Sequence, residues 1–428
     1  MLHLSWEHPP VVYGGVAAYV HGLSRAQAAA GHAVTVVTSA GGTPGLGDSP
    51  GDGVARRGDE DGVHVVRVAD DPPAVAAVGP VAQVLALGHA LTRAALRRVA
   101  EAGADVVVAH DWVTAHAAVT VAEAHGLPLV ACVHATEAGR WSGWVNGPTS
   151  TAVHTTERWL VRRASRVLTS SASAAAEVVA LFDVDPDRVD VVGQGVEAPA
   201  AEPDHPVALP APLAAAMADD APLLVVAGRV EHEKGQDVAV DALALLRGRR
   251  GGRARLVLAG TGTASTTVDA QVRRLGLVDR VLAPGRLGRP ALAALLARAD
   301  VVVVPSRYEP FGRAALEARA AGRPVVASAV GGLAEQVRDR VDGLLVPPAD
   351  AAALAAAVGD LLEDPGRAAR LAKAGREVAR RSTWPSVARA VDDVLARAVA
   401  SPGPSGPDER VPVPDVDLLA GVRATMGR

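Results

Sequence analysis

The sequence has little of several features that mark particular protein classes. It holds one cysteine, Cys132, among 428 residues, which excludes an internal disulfide and a cysteine-rich metal site. Lys and Arg total 43 against 47 Asp and Glu, so no basic excess favours a nucleic-acid partner. No apolar run reaches the roughly 18 residues of a membrane span. The N-terminus has no basic start and no apolar signal core, so we expect a cytoplasmic protein.

Several cofactor and catalytic motifs are also missing. No Gly-x-Gly-x-x-Gly follows the first apolar run, which disfavours a nicotinamide oxidoreductase. The phosphate-binding pattern Gly-x-x-x-x-Gly-Lys-Ser/Thr and the nucleophile pattern Gly-x-Ser-x-Gly are likewise absent. His110, Asp111 and His116 lack a further strong ligand, and no Asp-x-Asp ends an apolar run. We therefore expect no metal site and no cofactor.

The chain does contain a regular alternation of short apolar runs and Ala-rich stretches of helical period. With 49% hydrophobic and 21% charged residues it can bury sizeable cores, and its length suggests two domains at about 150 residues each. The alternation predicts an α/β fold of parallel sheets with helices on both faces. The predicted strands are residues 2–5, 34–37, 63–68, 106–109, 129–133, 167–170 and 189–192, then 223–227, 256–259, 281–283, 301–305 and 325–327.

Proline and glycine divide the chain into domains. Six prolines within residues 197–222 disfavour regular structure and predict a linker there. Residues 1–196 then form a first Rossmann-like domain and residues 223–383 a second. Residues 401–428 are a Pro/Gly-rich tail, and the Gly/Asp-rich residues 41–62 predict a surface loop. Two such domains facing each other across a cleft would bind ligands at the carboxyl ends of their strands.

The loop after the predicted strand 223–227 carries two cations. Arg229 and Lys234 lie between glycines in Gly-Arg-Val-Glu-His-Glu-Lys-Gly, and Lys234 is one of only two lysines. Two cations in a loop that leads to a helix can bind phosphate oxygens. The alternative is an ordinary solvated charged loop. The position at a strand end favours the functional interpretation.

The most specific pattern follows the predicted strand 301–305. Glu309, Pro310, Phe311 and Gly312 precede a helix that carries Glu317. Four residues of helix span about 6 Å, so the two carboxylates can reach different parts of one extended ligand. A capping carboxylate and a surface glutamate are the alternative, but capping alone does not explain the Pro-Phe-Gly turn.

The first half offers weaker signals. Gly14 and Gly15 open a helix, where backbone N–H groups can meet an anion, although a plain tight turn is the alternative. His134 follows a strand and can point into a cleft, although a structural histidine is the more common outcome. Trp141 and Trp144 lie close by in a chain with 3% aromatic residues. These two side chains can stack on sugar rings or pack at a hinge.

In this order, these motifs resemble the retaining GT-B glycosyltransferases of family 4. The stretch Ser-Trp-Glu-His-Pro-Pro before the Gly-Gly pair and the later His-Asp-Trp further resemble bacterial glycogen-synthase-type α-glucosyltransferases of the actinobacterial branch. The resemblance covers roughly residues 1–400. A helix over residues 384–400 would return to the first domain. The residues that carry the resemblance are Gly14, Gly15, His134, Arg229, Lys234, Glu309 and Glu317.

The resemblance also implies roles for individual residues. Gly14 and Gly15 would offer N–H groups to the donor diphosphate, and Arg229 and Lys234 would neutralise its charge in place of a metal. The remaining assignments concern the donor's sugars: Glu309 near the transferred sugar, the Phe311 and Gly312 backbone at its hydroxyls, Glu317 at the ribose, and His134 near the reacting carbon. Val12 and Tyr13 stand where many glycogen synthases have a lysine before the Gly-Gly pair.

The expected activity is a metal-independent, retaining transfer of glucose from ADP- or UDP-glucose to an α-1,4-glucan. The donor base is not evident from the sequence. One alternative is a hexosyltransferase acting on a lipid or small-molecule acceptor at a membrane, because residues 84–99 combine an apolar side with three arginines. A second is a two-domain sugar-binding protein without chemistry, which the missing export signal disfavours.

Overall fold

The computed structural model describes residues 1–41, 56–69, 80–197, 207, 209–218, 220–247 and 251–401. They fall into two compact units. Unit 1 comprises Met1–Gly195 and the segment that begins at Trp384, and unit 2 comprises Val196–Thr383. Residues 402–428 of the predicted tail and most of residues 41–55 lie outside the described part.

The secondary structure alternates strands and helices along both units. In chain order the strands are β1 (Leu2–Ser5), β2 (Val34–Ser39), β3 (Arg56–Glu60), β4 (Val63–Val68), β5 (Val107–His110), β6 (Leu129–Cys132), β7 (Arg166–Thr169), β8 (Val189–Val191), β9 (Leu223–Ala227), β10 (Arg255–Ala259), β11 (Val281–Leu282), β12 (Val301–Val304), β13 (Val325–Ser328) and β14 (Leu344–Val346). The helices are α1 (Gly15–Ala29), α2 (Pro80–Ala102), α3 (Ala115–His125), α4 (Glu137–Arg140), α5 (Gly147–Arg163), α6 (Ala172–Phe182), α7 (Ala211–Ala218), α8 (Gln236–Leu245), α9 (Ser265–Arg274), α10 (Arg289–Arg298), α11 (Arg313–Ala320), α12 (Gly331–Gln336), α13 (Ala351–Glu363), α14 (Pro365–Arg381) and α15 (Trp384–Ala400).

The described part of unit 1 is built on an eight-stranded sheet in the order β3-β4-β2-β1-β5-β6-β7-β8. Neighbouring strands are parallel except β3 and β4. Its central strands are buried along their whole length, as expected for strands covered by helices on both faces. Helix α15 packs against α1, where the Trp384 indole lies so close to Gly22 that a Cβ there would be 2.1 Å from the ring.

The described part of unit 2 has a six-stranded, fully parallel sheet in the order β11-β10-β9-β12-β13-β14. Its Val- and Leu-rich strands form the centre of two apolar clusters, one on each face. The prediction of two α/β domains with parallel sheets is therefore confirmed.

Three segments differ from the sequence-based expectation, and one of them is β14, which the predicted strands did not include. Arg56–Glu60 form a strand where a surface loop was predicted, because Asp61 and Gly62 adopt positive φ and turn the chain into an antiparallel hairpin with β4. The predicted irregular linker contains α7, whose residues Leu213 and Ala216 are buried in unit 2. Pro212 is tolerated there because it lies in the first turn of the helix, where no intrahelical N–H is needed.

The helix proposed as a membrane-surface element lies in the core of unit 1. Leu87, Leu91, Ala95 and Val99 on the apolar side of α2 are buried against the sheet. Its apolar side is therefore used within the protein, and it does not support the membrane alternative. Among the described helices, none combines the length and the apolar character needed to cross a membrane.

Candidate active site

The sheet of unit 2 reverses its strand order between β9 and β12. The loops that leave the carboxyl ends of these two strands therefore diverge to opposite sides and open a crevice, the usual ligand position in open α/β sheets. Residues 228–235 follow β9 and residues 305–312 follow β12. Both motifs that the sequence singled out in this half lie at this one place.

Lys234 and Glu309 meet across the two loops. Lys234 Nζ lies 2.8 Å from Glu309 Oε2, and the side chains are 23% and 14% exposed. The Ser306 hydroxyl donates a longer hydrogen bond of 3.4 Å to the same carboxylate oxygen. The lysine is therefore held at the strand edge by a partner that a stronger anion could replace.

Arg229 is paired in the same way within its own loop. Its guanidinium donates to Glu233 Oε1 at 3.1 Å and lies 3.6 Å from Glu231 Oε1, and its side chain is 38% exposed. Gln236 at the start of α8 donates to the Arg229 carbonyl at 2.7 Å. The backbone of this loop is thus fixed, while the charged end of the arginine remains accessible.

A third ion pair holds the two loops together. Arg307 donates to both carboxylate oxygens of Asp237, at 2.8 and 2.6 Å, and to the His232 carbonyl. Burial opposes ionisation of Asp237, but the hydrogen bonds and charge of Arg307 keep its pKa below the usual value. Gly235 has φ +68°, and a Cβ there would lie 2.0 Å from the Pro305 carbonyl oxygen. Only glycine permits this contact between the loops.

Glu317 lies on α11, one turn from the helix start. Gly312 precedes the helix with φ +100°, a conformation that favours glycine, and a Cβ there would lie 2.4 Å from the Leu333 side chain. Arg313 Nε lies 2.8 Å from Glu317 Oε1. Glu309 and Glu317 thus stand on either side of the Phe311–Gly312 turn, each already paired with a cation.

The Phe311 carbonyl is held by a partly buried network that the sequence did not reveal. Gln336 Nε2 donates to it at 2.8 Å, and Arg319 donates to both the side-chain and the backbone oxygen of Gln336. Arg319 is fully buried and lies 3.7 Å from Asp342, which is also buried. Burial lowers the pKa of the Arg319 guanidinium. Three of the eight residues of α11 are charged, so the sequence did not distinguish Arg319.

Gly331 and Gly332 support the same turn from the next loop. Gly332 N donates to the Glu309 carbonyl at 2.9 Å. A Cβ on Gly331 would lie 2.4 Å from that carbonyl oxygen, and one on Gly332 would lie 2.3 Å from the Pro310 carbonyl oxygen. The Gly-Gly pair that follows β13 could have been noticed as a close-approach site.

In unit 1 the strand order reverses between β1 and β5, and candidate residues follow β1, β5 and β6. The Gly14 N–H, expected to face a diphosphate, donates instead to Glu7 Oε2 at 2.8 Å, and Tyr13 N donates to the same oxygen. Glu7 is buried, so its carboxylate fills this backbone site from within the chain. A diphosphate would have to displace Glu7 to reach the Gly14 N–H, and the expected role of Gly15 stays a prediction.

His134 lies just after β6 and is partly exposed. Its backbone N–H donates to Asp111 Oδ1 at 2.8 Å, and its ring Nε2 lies 3.2 Å from His110 Nδ1. Burial lowers the pKa of His134, and it holds the pKa of His110 well below the ordinary histidine value. The ring is therefore neutral at physiological pH and can take part in directional hydrogen bonds.

The segment after His134 presents two tryptophans to solvent. Trp141 is 53% and Trp144 74% exposed, and Trp141 Nε1 donates to Glu137 Oε1 at 3.1 Å. The Glu137 N–H donates to both oxygens of Glu157. Burial raises the pKa of Glu157 to about 8, and nearby Arg140 only partly opposes this. The exposed indoles do not pack in the core of unit 1.

Within the part of the chain that the structure describes, no group of three or more His, Cys, Asp and Glu side chains could hold a metal ion. The His116 ring packs against Trp159, with ring centroids 5.0 Å apart. The predicted site residues of unit 2 lie together at one strand edge, and His134 and Gly14 lie at the strand edge of unit 1.

Two family models match this chain. The model described as glycosyl transferases group 1 matches residues 214–378, and that described as glycosyl transferase 4-like domain matches residues 14–195. Together they cover most of both units. Both agree with the family resemblance inferred from the motifs.

Known proteins extend this result. The chain is 40% identical over 422 residues to glycogen synthase from Mycobacterium tuberculosis, covering 96% of this chain and 98% of the relative. It is 37% identical over 330 residues to a D-inositol 3-phosphate glycosyltransferase from Xylanimonas cellulosilytica, covering 74% and 77% of the two chains.

Solved structures agree with the fold. Sucrose-phosphate synthase from Thermosynechococcus elongatus matches with a TM-score of 0.75 at 24% identity, over 93% of this chain and 98% of that chain. The catalytic domain of starch synthase IV from Arabidopsis thaliana, bound to ADP and acarbose, matches with a TM-score of 0.72 at 18% identity, over 94% and 99%. The chain belongs to the group 1 glycosyltransferases with a family-4-like N-terminal domain and has the GT-B fold.

Proposed function

We propose that this glycosyltransferase transfers glucose from a nucleotide diphosphate glucose, ADP- or UDP-glucose, to the 4-hydroxyl of an α-1,4-glucan, with retention of configuration and without a metal. The observation that carries the proposal is the convergence of Lys234 and Glu309 on one strand edge, beside the pair of Arg229 and Glu233. The 40% identity to a glycogen synthase supports the choice of glucose and of a glucan.

In the proposed reaction, Arg229 and Lys234 bind the donor diphosphate. The phosphate oxygens replace Glu309 and Glu233 as partners of these cations. Neither cation is therefore left without an anionic partner when the donor binds. As the leaving diphosphate develops negative charge, the two cations stabilise it, which is the task a metal performs in other enzymes. Both cations are held in place by backbone contacts of their loop before the donor arrives.

The carboxylates are assigned to hydroxyl groups of the donor. Glu309, released from Lys234, would accept a hydrogen bond from the glucose, and Glu317 would accept from the ribose. The Phe311 and Gly312 backbone would meet further glucose hydroxyls. The Gln336 side chain holds the Phe311 carbonyl, which supports a preorganised backbone at this position.

For unit 1 we propose that His134 contacts the donor glucose and that Gly15, and Gly14 once Glu7 is displaced, contact the diphosphate. The bond between the anomeric carbon and the diphosphate oxygen breaks, and a bond to the acceptor 4-oxygen forms on the same face of the sugar. The acceptor proton passes to the leaving phosphate oxygen. The proton lost by the acceptor neutralises the charge gained by the leaving group.

A second candidate is transfer to a small-molecule acceptor. The 37% identity to a D-inositol 3-phosphate glycosyltransferase favours it, although that similarity covers a smaller share of the chain. Transfer to a lipid acceptor at a membrane has less support, because the helix that suggested it uses its apolar side in the core.

The experiment is a product assay on the full chain. ADP-glucose and UDP-glucose are each offered with maltoheptaose, with D-inositol 3-phosphate and with anionic liposomes, and products are identified by mass spectrometry and by the anomeric proton signals. We expect an elongated glucan with a new α-1,4 linkage, unaffected by EDTA, and near-complete loss of product in Glu309→Ala. A product on another acceptor, inversion at the anomeric carbon, or loss of activity with EDTA would refute the corresponding part of the proposal.

A further inference from the structure

Three histidines stack at the strand edge of unit 1. His3 lies in β1, His110 ends β5, and His134 follows β6. Adjacent ring centroids are 5.4 Å apart, with interplanar angles of 16° and 12°. His3 Nδ1 lies 3.1 Å from His110 Nε2, and His110 Nδ1 lies 3.2 Å from His134 Nε2. The rings therefore form one hydrogen-bonded row that ends at His134.

All three rings are neutral at physiological pH. Burial lowers the pKa of His3 to about 3, that of His110 well below the ordinary value, and that of His134 in the same direction. A neutral imidazole has one N–H and one acceptor nitrogen. Each of the two links needs one donor and one acceptor, so all N–H groups in the row must point the same way. The partner at the far end of the row decides which way.

The candidate for that partner is Gln27 on α1. Gln27 Nε2 donates to Asp392 Oδ1 of α15 at 2.7 Å, and a carboxylate can only accept. The amide oxygen of Gln27 is therefore left for another donor. Gln27 Oε1 and His3 Nε2 are both buried, and neither has a hydrogen-bond partner among the described residues, so each is available to pair with the other. Hydrogen bonding to Gln27 also raises the pKa of His3 against the larger effect of burial, as expected for an acceptor that stabilises the charged ring.

We propose that Asp392 and Gln27 set the tautomer of His134 through His3 and His110. His3 Nε2–H donates to Gln27 Oε1, His110 Nε2–H donates to His3 Nδ1, and His134 Nε2–H donates to His110 Nδ1. His134 Nδ1 then carries a lone pair. On the proposed function, it accepts a hydrogen bond from a hydroxyl of the donor glucose. His3, His110, Gln27 and Asp392 are positioning residues, since they act through His134.

The tautomer can be measured directly in the full chain. Long-range ¹H–¹⁵N spectra of protein labelled with ¹⁵N-histidine distinguish a protonated from an unprotonated ring nitrogen, and His134→Gln identifies the His134 signals by their loss. We expect Nε2 of His134 to be protonated and Nδ1 to be unprotonated. Protonation of Nδ1 in the wild-type protein would overturn the proposal. This measurement needs no substrate and does not depend on the glucosyl transfer.

A remote substitution tests the cause. In Asp392→Asn the side chain can donate as well as accept, so Gln27 can turn its NH₂ toward His3 and reverse the row. The matched control is Asp393→Asn, the same change at the neighbouring exposed position. We expect both tautomers of His134 in Asp392→Asn and the wild-type tautomer in Asp393→Asn. The same His134 tautomer in both variants would contradict the proposal.

The kinetic readout links the row to the reaction. In Asp392→Asn we expect kcat/KM for glucosyl transfer to fall about three- to tenfold, the worth of one hydrogen bond to a neutral group. The unfolding midpoint of Asp393→Asn is the reference for stability. A changed tautomer with unchanged kinetics would remove the role of His134 in sugar binding. If the wild-type protein transfers no glucose but His134 shows the predicted tautomer, the proposed function is refuted, while the proposal that Asp392 and Gln27 set this tautomer is retained.

Discussion

The polar side chains at the strand edges of the two units are paired in different ways. In unit 1 the edge carries neutral rings joined by hydrogen bonds, with His110 at their centre, and the carboxylates of Glu7 and Asp111 there accept from backbone N–H groups. In unit 2 they are charges paired with one another, Lys234 with Glu309 and Arg229 with Glu233. Both edges lie where the strand order of a parallel sheet reverses. The fold therefore determines where each group of polar side chains lies, and the side chains determine which ligand groups it can bind.

The difference suggests a division of work. A neutral hydrogen-bonded row whose end partner fixes its direction has one arrangement of donors and acceptors, which suits the directional recognition of sugar hydroxyls. Paired charges can exchange partners, which suits a ligand that brings its own negative charge. In unit 2 a diphosphate would find cations that are already positioned, and the displaced carboxylates would become free for the hydroxyl groups of the donor.

The largest loss of activity is expected when one of the paired charges of unit 2 is removed. Lys234→Ala removes one of the two cations and leaves Glu309 without its lysine. We expect kcat/KM for glucosyl transfer to fall about 10²–10³-fold, as for the loss of one preorganised group that stabilises transition-state charge. Steady-state kinetics at saturating acceptor measure it. The control is Lys373→Ala, which removes the other lysine, exposed on α14; equal kinetics in the two variants would refute the assignment.

A substitution in the histidine row of unit 1 should lower kcat/KM less than Lys234→Ala does. His134→Gln removes the ring but keeps a polar side chain, so we expect kcat/KM to fall about tenfold, the upper end for one neutral hydrogen bond. The comparison variant is His125→Gln at the exposed end of α3, which should retain wild-type kinetics. A loss in His134→Gln as large as that in Lys234→Ala would remove the distinction between the two edges.

A smaller effect is expected when the hydrogen bond from Gln336 to the Phe311 carbonyl is removed. Gln336→Glu keeps the length of the side chain and its acceptors for Arg319, but it cannot donate to the Phe311 carbonyl. We expect the KM for the donor to rise about threefold, because the turn before α11 loses one hydrogen bond. An unchanged donor KM would show that this carbonyl needs no support.

The smallest effect on activity is expected at Glu157, where the change appears in stability. Its pKa of about 8 in the folded protein exceeds the unfolded value near 4.5, so its contribution is fully present below pH 4.5 and is lost as pH rises through about 8. The slope is at most about 1.4 kcal/mol per pH unit. Glu157→Gln should flatten the loss of unfolding free energy between pH 5 and 9 in urea titrations; parallel curves would contradict the raised pKa.

Much of this organisation could be predicted from the sequence. Glycine-flanked charges after β9 and the Glu309 motif after β12 predicted a common site, because parallel strands bring their carboxyl ends to one edge. Local patterns could not give the contacts that depend on distant residues. Arg319 and Gln336 are 17 residues apart, and Gln27 and Asp392 are 365 apart. The occupation of the Gly14 N–H by Glu7 was equally hidden, since it depends on how the intervening loop folds back.

The central claim is that the paired charges of unit 2 bind the donor diphosphate. Titration calorimetry with ADP and with UDP, on the wild-type chain and on Lys234→Ala and Lys373→Ala, tests it most directly. We predict that Lys234→Ala weakens binding of the preferred nucleoside diphosphate about ten- to hundredfold, the worth of a hydrogen bond to a charged group. Lys373→Ala should bind as the wild type does. Equal affinity in all three proteins would contradict the account.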